Sequence, residues 1–238
     1  MSLAGRELET LAAEIVACRA CPRLVEWREL VAREKRAAYR DEEYWGRPAP
    51  GFGDPRARVL LVGLAPAAHG ANRTGRVFTG DRSGDFLFAS LYRTGFANQP
   101  ESVALDDGLE LRDAYVAAAV RCAPPANKPT PAERDACRPF LVRELRLLTE
   151  LRVVVALGAF GYEAAWTALR AAELPKVELP ARRPKFAHGL EVDCGAITIL
   201  CTFHPSQQNT FTGRLTPAMQ DAVFTRARSL RPRRTRPR

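Results

Sequence analysis

The chain has 238 residues, 46% of them hydrophobic and 26% charged, with a formal net charge of +9. That length buries a real core, in one large α/β domain or two small ones, and no apolar run approaches the roughly 20 residues of a membrane span. The N-terminal "MSLAGRELETLAAEIVACRA" lacks a basic segment followed by an apolar one, so a cytoplasmic protein without signal peptide or membrane contact is expected.

Residues 8–17 show helical apolar spacing, and "PRLVEWRELVAREKRAAYR" after Cys21 predicts a second, amphipathic helix. A Pro/Gly-rich approach, "PAPGFGDPRA", leads into "RVLLVGLAP", a run that fits a buried parallel strand. Ser83 is the predicted cap of a helix running to about Thr94 and closed by Gly95. "AYVAAAVRC" is a second strand, broken by "APPANKPTP", after which Thr130 and Pro131 open a long helix interrupted by Pro139. "RVVVALG" is a third strand, "FGYEAAWTALRAA" a helix and "AITILCTF" a fourth strand, before Thr216 and Pro217 open the last helix. The chain ends in "RPRRTRPR", which holds five arginines; the remainder still carries +4. That tail is predicted either as a disordered, solvated segment or as a contact to nucleic acid.

Nearly all-apolar strands alternating with helices predict a parallel sheet covered on both faces. In such sheets ligands gather at the carboxyl ends of the strands. Three unusual stretches fall there: "APAAHG" after the first strand, "CAPPANK" after the second and "HPSQQNT" after the fourth. No repeat and no shift of composition marks a boundary. Residues 1–230 are therefore predicted as one domain with an N-terminal helical extension, followed by the tail at 231–238.

Four of the six cysteines form a dispersed set: Cys18-x-x-Cys21, then Cys122 and Cys137 with fourteen residues between them. Without a secretory signal, disulfides are not expected. Four thiolates fit either tetrahedral zinc or an iron–sulfur cluster, the alternative being buried free cysteines. Cys194 and Cys201 are seven apart around the fourth strand, and Cys201 reads as core. A group held by the first four would pin the extension to the sheet and hold "APPANKPTP" in one shape.

Together, "GLAPAAHGANRTGRVFTGD", the cysteines with "RCAPPANKPTP", and "HPSQQNTFTGRLTP" resemble the family 5 (B-type) uracil-DNA glycosylases, iron–sulfur enzymes of bacteria and archaea. The resemblance spans about Cys18 to Thr216. It implies a three-layer α/β/α sandwich around a four-stranded parallel sheet, and a [4Fe–4S] cluster bound by Cys18, Cys21, Cys122 and Cys137. It also implies a monomer, associated with the nucleoid, that excises uracil from double-stranded DNA and starts base excision repair. Ala67 stands where the family usually has glycine, which bears on substrate range more than on chemistry. Ala118 lies where sister families place a uracil-reading asparagine, in keeping with a wider range that includes hypoxanthine.

Breaking an N-glycosidic bond leaves an anionic base and an oxocarbenium-like sugar. A site needs a donor near the departing base, a hold on water and a stacking face for the flipped nucleotide. His204, at the end of the fourth strand, is the natural donor, and the resemblance gives it that role. Ser206, Gln207 and Gln208 suit phosphate or minor-groove contacts, or the gap left by a flipped base, with Arg214 a further DNA contact. The resemblance makes Asp81 of "FTGD" the candidate for activating water, although an Asp before "RSGDF" is also a helix N-cap. Asn209 is the second polar candidate. Phe78 is the expected stacking platform or else a core phenylalanine, and Gly63, Ala65 and Asn127 complete the expected base pocket. His69 and Arg73 of "AHGANRTG" are expected on DNA, with Gly70 and Gly75 permitting close backbone approach. The rivals are a non-catalytic iron–sulfur or zinc protein that binds nucleic acid, and an electron-transfer protein, which the dispersed cysteines disfavour.

Overall fold

A computed structural model describes residues 3–230, so the arginine-rich tail expected at 231–238 lies outside the described residues. The apolar runs form four strands with almost every residue buried: Val59–Gly63 (β2), Ala114–Ala118 (β3), Val153–Leu157 (β4) and Ile197–Thr202 (β6). They pair in parallel in the order β3-β2-β4-β6. Two further strands, Phe52–Gly53 (β1) and Glu191–Cys194 (β5), add antiparallel beside β3 and β6. The sheet is therefore six-stranded and mixed at its edges, where four parallel strands were expected. A two-residue strand leaves no periodic signal, and "EVDC" alternates exposed and buried residues, unlike the continuous apolar runs at the centre.

Alternate residues of each central strand serve opposite faces. Leu60 and Val62 pack with Leu3–Ala17 (α1), Pro131–Leu147 (α5) and Gly158–Ala172 (α6). Val59 and Leu61 pack with Arg82–Arg93 (α4) and Pro217–Leu230 (α8) on the other side. Three layers result, as expected. Pro22–Glu34 (α2) stops short of the expected Arg40, because Lys35 turns to φ 55° and a 3-10 turn follows at Ala37–Tyr39. Thr130 and Glu133 form a reciprocal capping box on α5, which runs through Pro139 without ending. Asp81, and not Ser83, caps α4: its carboxylate accepts from the Gly84 amide at 2.9 Å.

The N-terminal extension is anchored by ordinary packing and by ion pairs. Leu8 sits in the main core, Glu14 pairs with Arg143, and both oxygens of Glu133 accept from Arg23 at 2.8 Å. Among the described residues no helix is long and apolar enough to cross a membrane.

From β2 the chain passes to β3 on one side and then to β4 on the other, so the crevice beyond the carboxyl ends of β2 and β4 is the topological switch point. Gly161 lets α6 close on that spot, since a Cβ there would lie 2.4 Å from the Val62 carbonyl oxygen. The loops after β2 and β6 flank this crevice.

Candidate active site

The loop after β2 reaches its functional residues through one strained position. Phe78 has φ 55°, a left-handed conformation that costs a non-glycine residue about 1 kcal/mol. Two glycines make it feasible. A Cβ on Gly84 would meet the Phe78 carbonyl oxygen at 1.9 Å, and one on Gly63 would meet the Phe78 ring at 2.6 Å. The ring is thus laid over the last residue of β2, half-buried, with its centroid 5.8 Å from the His204 ring and tilted 34° to it. The two loops expected to cooperate do meet.

His204 is half-buried where β6 ends, and Gly158, at φ 85°, leaves room for it: a Cβ on Gly158 would sit 3.0 Å from that of His204. Burial pulls the imidazole down to about 4, so it is neutral at physiological pH. Its ring nitrogens have no hydrogen-bond partner among the described residues, whereas its carbonyl oxygen accepts from Asn209 Nδ2 at 2.8 Å. A neutral imidazole with a free N–H is a hydrogen-bond donor that needs no proton from solvent. Asn209 holds the loop that carries it.

Asp81 has two duties in the same place. One carboxylate oxygen caps α4, and the other lies so close to Gly70 that a Cβ there would stand 2.2 Å away. Burial raises its pKa, opposed by hydrogen bonds from the Gly84 and Ser83 amides. Gly70→Ala should therefore displace a carboxylate that cannot retreat without giving up its cap. We expect single-turnover catalysis to fall by about ten- to a hundredfold with the fold retained, measured by rate and circular dichroism.

The remaining expected residues divide. Arg73 spends its donors inside the loop, on the His69 carbonyl (2.9 Å) and the Gly80 carbonyl (3.0 Å), and it pairs with Glu42. It braces the loop and has little left for a phosphate. His69 shares a hydrogen bond between Nδ1 and the Tyr44 hydroxyl at 3.1 Å, and burial lowers its pKa. Ser206 opens a short helix, Gln207–Phe211 (α7), where a loop was expected; Gln207, Gln208 and Arg214 are exposed. Arg214 lies 4.5 Å over the Phe203 ring. Ala65 packs on the apolar cluster around Cys122 and Cys137, so the turn after β2 leans on the cysteine region. Asn127 is exposed on the turn after β3, and among the described residues its side chain bonds to neither Phe78 nor His204.

Phe211 was missed. It is 68% exposed at the end of α7, and the Arg82 guanidinium, next to Asp81, lies 5.8 Å from its ring. An aromatic at the end of a polar run, three residues before Arg214, was the available signal. It makes a second bridge between the two loops, on the outside.

All four expected cysteines line one small cavity, with Leu24, Val25, Pro48, Arg121 and Phe140 among its walls. Among the described residues no three His, Cys, Asp or Glu side chains gather tightly enough to hold a single metal ion. Arg28, on α2, points its Nη1 at the Cys122 sulfur at 2.9 Å from a fully buried position. A set of four sulfurs suits a soft metal group, and a buried guanidinium beside them suits one with negative charge. These residues fit a thiolate-bound iron–sulfur cluster.

The model of the uracil DNA glycosylase superfamily matches residues 50–228, which include both loops and the sheet. A type-5 uracil-DNA glycosylase of Mycobacterium tuberculosis is 54% identical over 222 residues, 92% of this chain and 80% of that protein. The type-5 enzyme of Thermus thermophilus is 51% identical over 225 residues, 93% of this chain and 97% of its own length. That of Pyrobaculum aerophilum is 46% identical over 213 residues, covering 90% and 88%. The matched residues take in the switch-point crevice and its paired loops, and the chain belongs to the uracil DNA glycosylase superfamily, among the type-5 uracil-DNA glycosylases.

Proposed function

We propose that this protein excises uracil from double-stranded DNA as a monofunctional N-glycosyl hydrolase, leaving an abasic site for base excision repair. The observation that carries the reading is the neutral imidazole of His204, without a partner among the described residues, beside the Phe78 ring, with the carboxylate of Asp81 in the same loop as Phe78. The base, rotated out of the duplex, stacks on Phe78. As the bond from the sugar C1′ to the base nitrogen breaks, negative charge grows on the base oxygens, and the His204 N–H donates to one of them. Asp81 faces the sugar cation and orients a water, whose hydroxyl joins C1′ while its proton leaves for the departing base or solvent. Free uracil and an abasic sugar are the products. Gln207, Gln208 and Arg214 contact the strand outside the pocket.

Cys18, Cys21, Cys122 and Cys137 would hold a [4Fe–4S] cluster, which when bound supplies a structural tie between the N-terminal helices and the segment after β3. Cys122→Ser should bleach a broad visible absorbance and lower the melting temperature. Because α1 and α2 are also held by Glu14–Arg143 and Arg23–Glu133, the apo chain should remain folded rather than collapse. A colourless wild-type protein purified anaerobically with one zinc would contradict the cluster.

With alanine at 118 and Asn127 exposed on its turn, discrimination should be loose, and hypoxanthine is expected as a second substrate. A labelled duplex carrying one uracil, incubated with protein and cleaved by alkali, tests the whole reading. Cleavage at the uracil is the expected result. Binding without cleavage would leave only a nucleic-acid-binding protein.

A further inference from the structure

Among the described residues three arginines are almost fully buried. Arg76 pairs with Asp107 and Arg121 with Glu144. Arg28, 2% exposed, has no carboxylate partner among the described residues. Its Nη1 and Nη2 reach the Cys18 carbonyl oxygen at 3.3 Å, its Nη1 reaches the Cys122 sulfur at 2.9 Å, and its Nε is buried with no partner at all. A buried guanidinium without a counter-charge is costly, and a fold keeps one only where something anionic sits beside it. Among the described residues, the group its guanidinium donates to that can carry negative charge is the Cys122 sulfur, one of the four cysteines that line the cavity.

We propose that Arg28 balances the charge of the cysteine-bound cluster and raises its reduction potential. The inference rests on the reading that Cys18, Cys21, Cys122 and Cys137 hold iron and sulfide. Net charge and hydrogen bonds to the sulfurs are the levers by which a protein sets such potentials. A full positive charge and an N–H donated to a ligand sulfur both favour the more negative, reduced state. The planar fork of arginine suits this position because it spans Cys18 and Cys122, which come from segments far apart in the chain. Its own helix is fixed behind it: Asn72, 1% exposed, donates from Nδ2 to the Arg28 carbonyl oxygen at 3.2 Å. Arg28 stands on the buried stripe of α2 with Leu24, Val25 and Val31, an arginine on an apolar face. It touches no substrate and is a positioning residue of the cluster.

The test is a mediated dithionite titration, followed by visible absorbance, of the full chain and its Arg28→Gln and Arg28→Lys variants. Arg28→Gln removes the charge; Arg28→Lys keeps it but loses the fork. Both should titrate at lower potential than wild type, Arg28→Gln further than Arg28→Lys, and Arg28→Gln should bleach faster with ferricyanide. Variants that titrate at the wild-type potential would overturn the inference. If Arg28→Gln purifies without colour, Arg28→Lys decides alone: a lower potential supports the proposal and an unchanged one overturns it. A wild-type protein without iron would instead overturn the cluster reading beneath it.

Discussion

His204→Ala is expected to slow single-turnover release of uracil by roughly two to three orders of magnitude, with DNA affinity little changed. A preorganised donor to developing charge contributes about 3–4 kcal/mol to a transition state. The imidazole qualifies because its ring nitrogens have no partner among the described residues and because burial holds it neutral down to about 4. The same burial has a cost with a definite sign. Below the unfolded value of 6.5 the unfolded chain takes up a proton that the folded chain refuses until about 4. Stability is therefore lost as pH falls through that window. His204→Ala should lose activity while becoming more resistant to acid between those limits, measured by thermal melts across pH. A variant with wild-type rates would remove His204 from the chemistry.

Asp81→Asn should slow excision by a comparable factor, and its interpretation is unusually clean. Asparagine caps helices as well as aspartate does, so the start of α4 survives and only the charge is lost. Burial raises the Asp81 pKa, which means the ionised form is a burden on the folded state above that value. Asp81→Asn should then be at least as stable as wild type at neutral pH, with the advantage fading as pH falls through the raised pKa. The wild-type rate should fall on the acid side through the same titration, since the carboxylate is the working form. No such limb should come from His204 above about pH 5, because it is already neutral. Loss of the acid limb in Asp81→Asn, with residual activity flat in pH, is the expected profile.

Much of this site could be read from residue order. The central strands and their carboxyl-end loops announced themselves through continuous apolar runs, and His204, Phe78 and Asp81 lay in the stretches that interrupt them. What escaped was set by contacts across the fold. Asp81 and Ser83 both read as possible caps of α4, and the structure decides for Asp81; the left-handed Phe78 backbone, with Gly63 and Gly84 packed against it from separate elements, left no local mark. Arg73 looked like a phosphate ligand because nothing local reveals that Glu42, Gly80 and His69 already occupy it. Asn209 was a polar candidate by its spacing alone, and nothing in the sequence announced that its Nδ2 braces the His204 carbonyl. The edge strands were too short or too evenly alternating to stand out, and α7 hid within a run of polar residues.

The division of labour between the two loops is the central claim, and a leaving-group comparison tests it most directly. Single-turnover rates would be measured for wild type, His204→Ala and Asp81→Asn on duplexes carrying uracil or 5-fluorouracil, whose ring fluorine makes the base a better anion. If His204 stabilises the departing base, the deficit of His204→Ala should shrink on 5-fluorouracil. If Asp81 acts on the sugar and water, the deficit of Asp81→Asn should stay the same on both bases. Equal rescue of the two variants, or rescue of Asp81→Asn alone, would contradict the account.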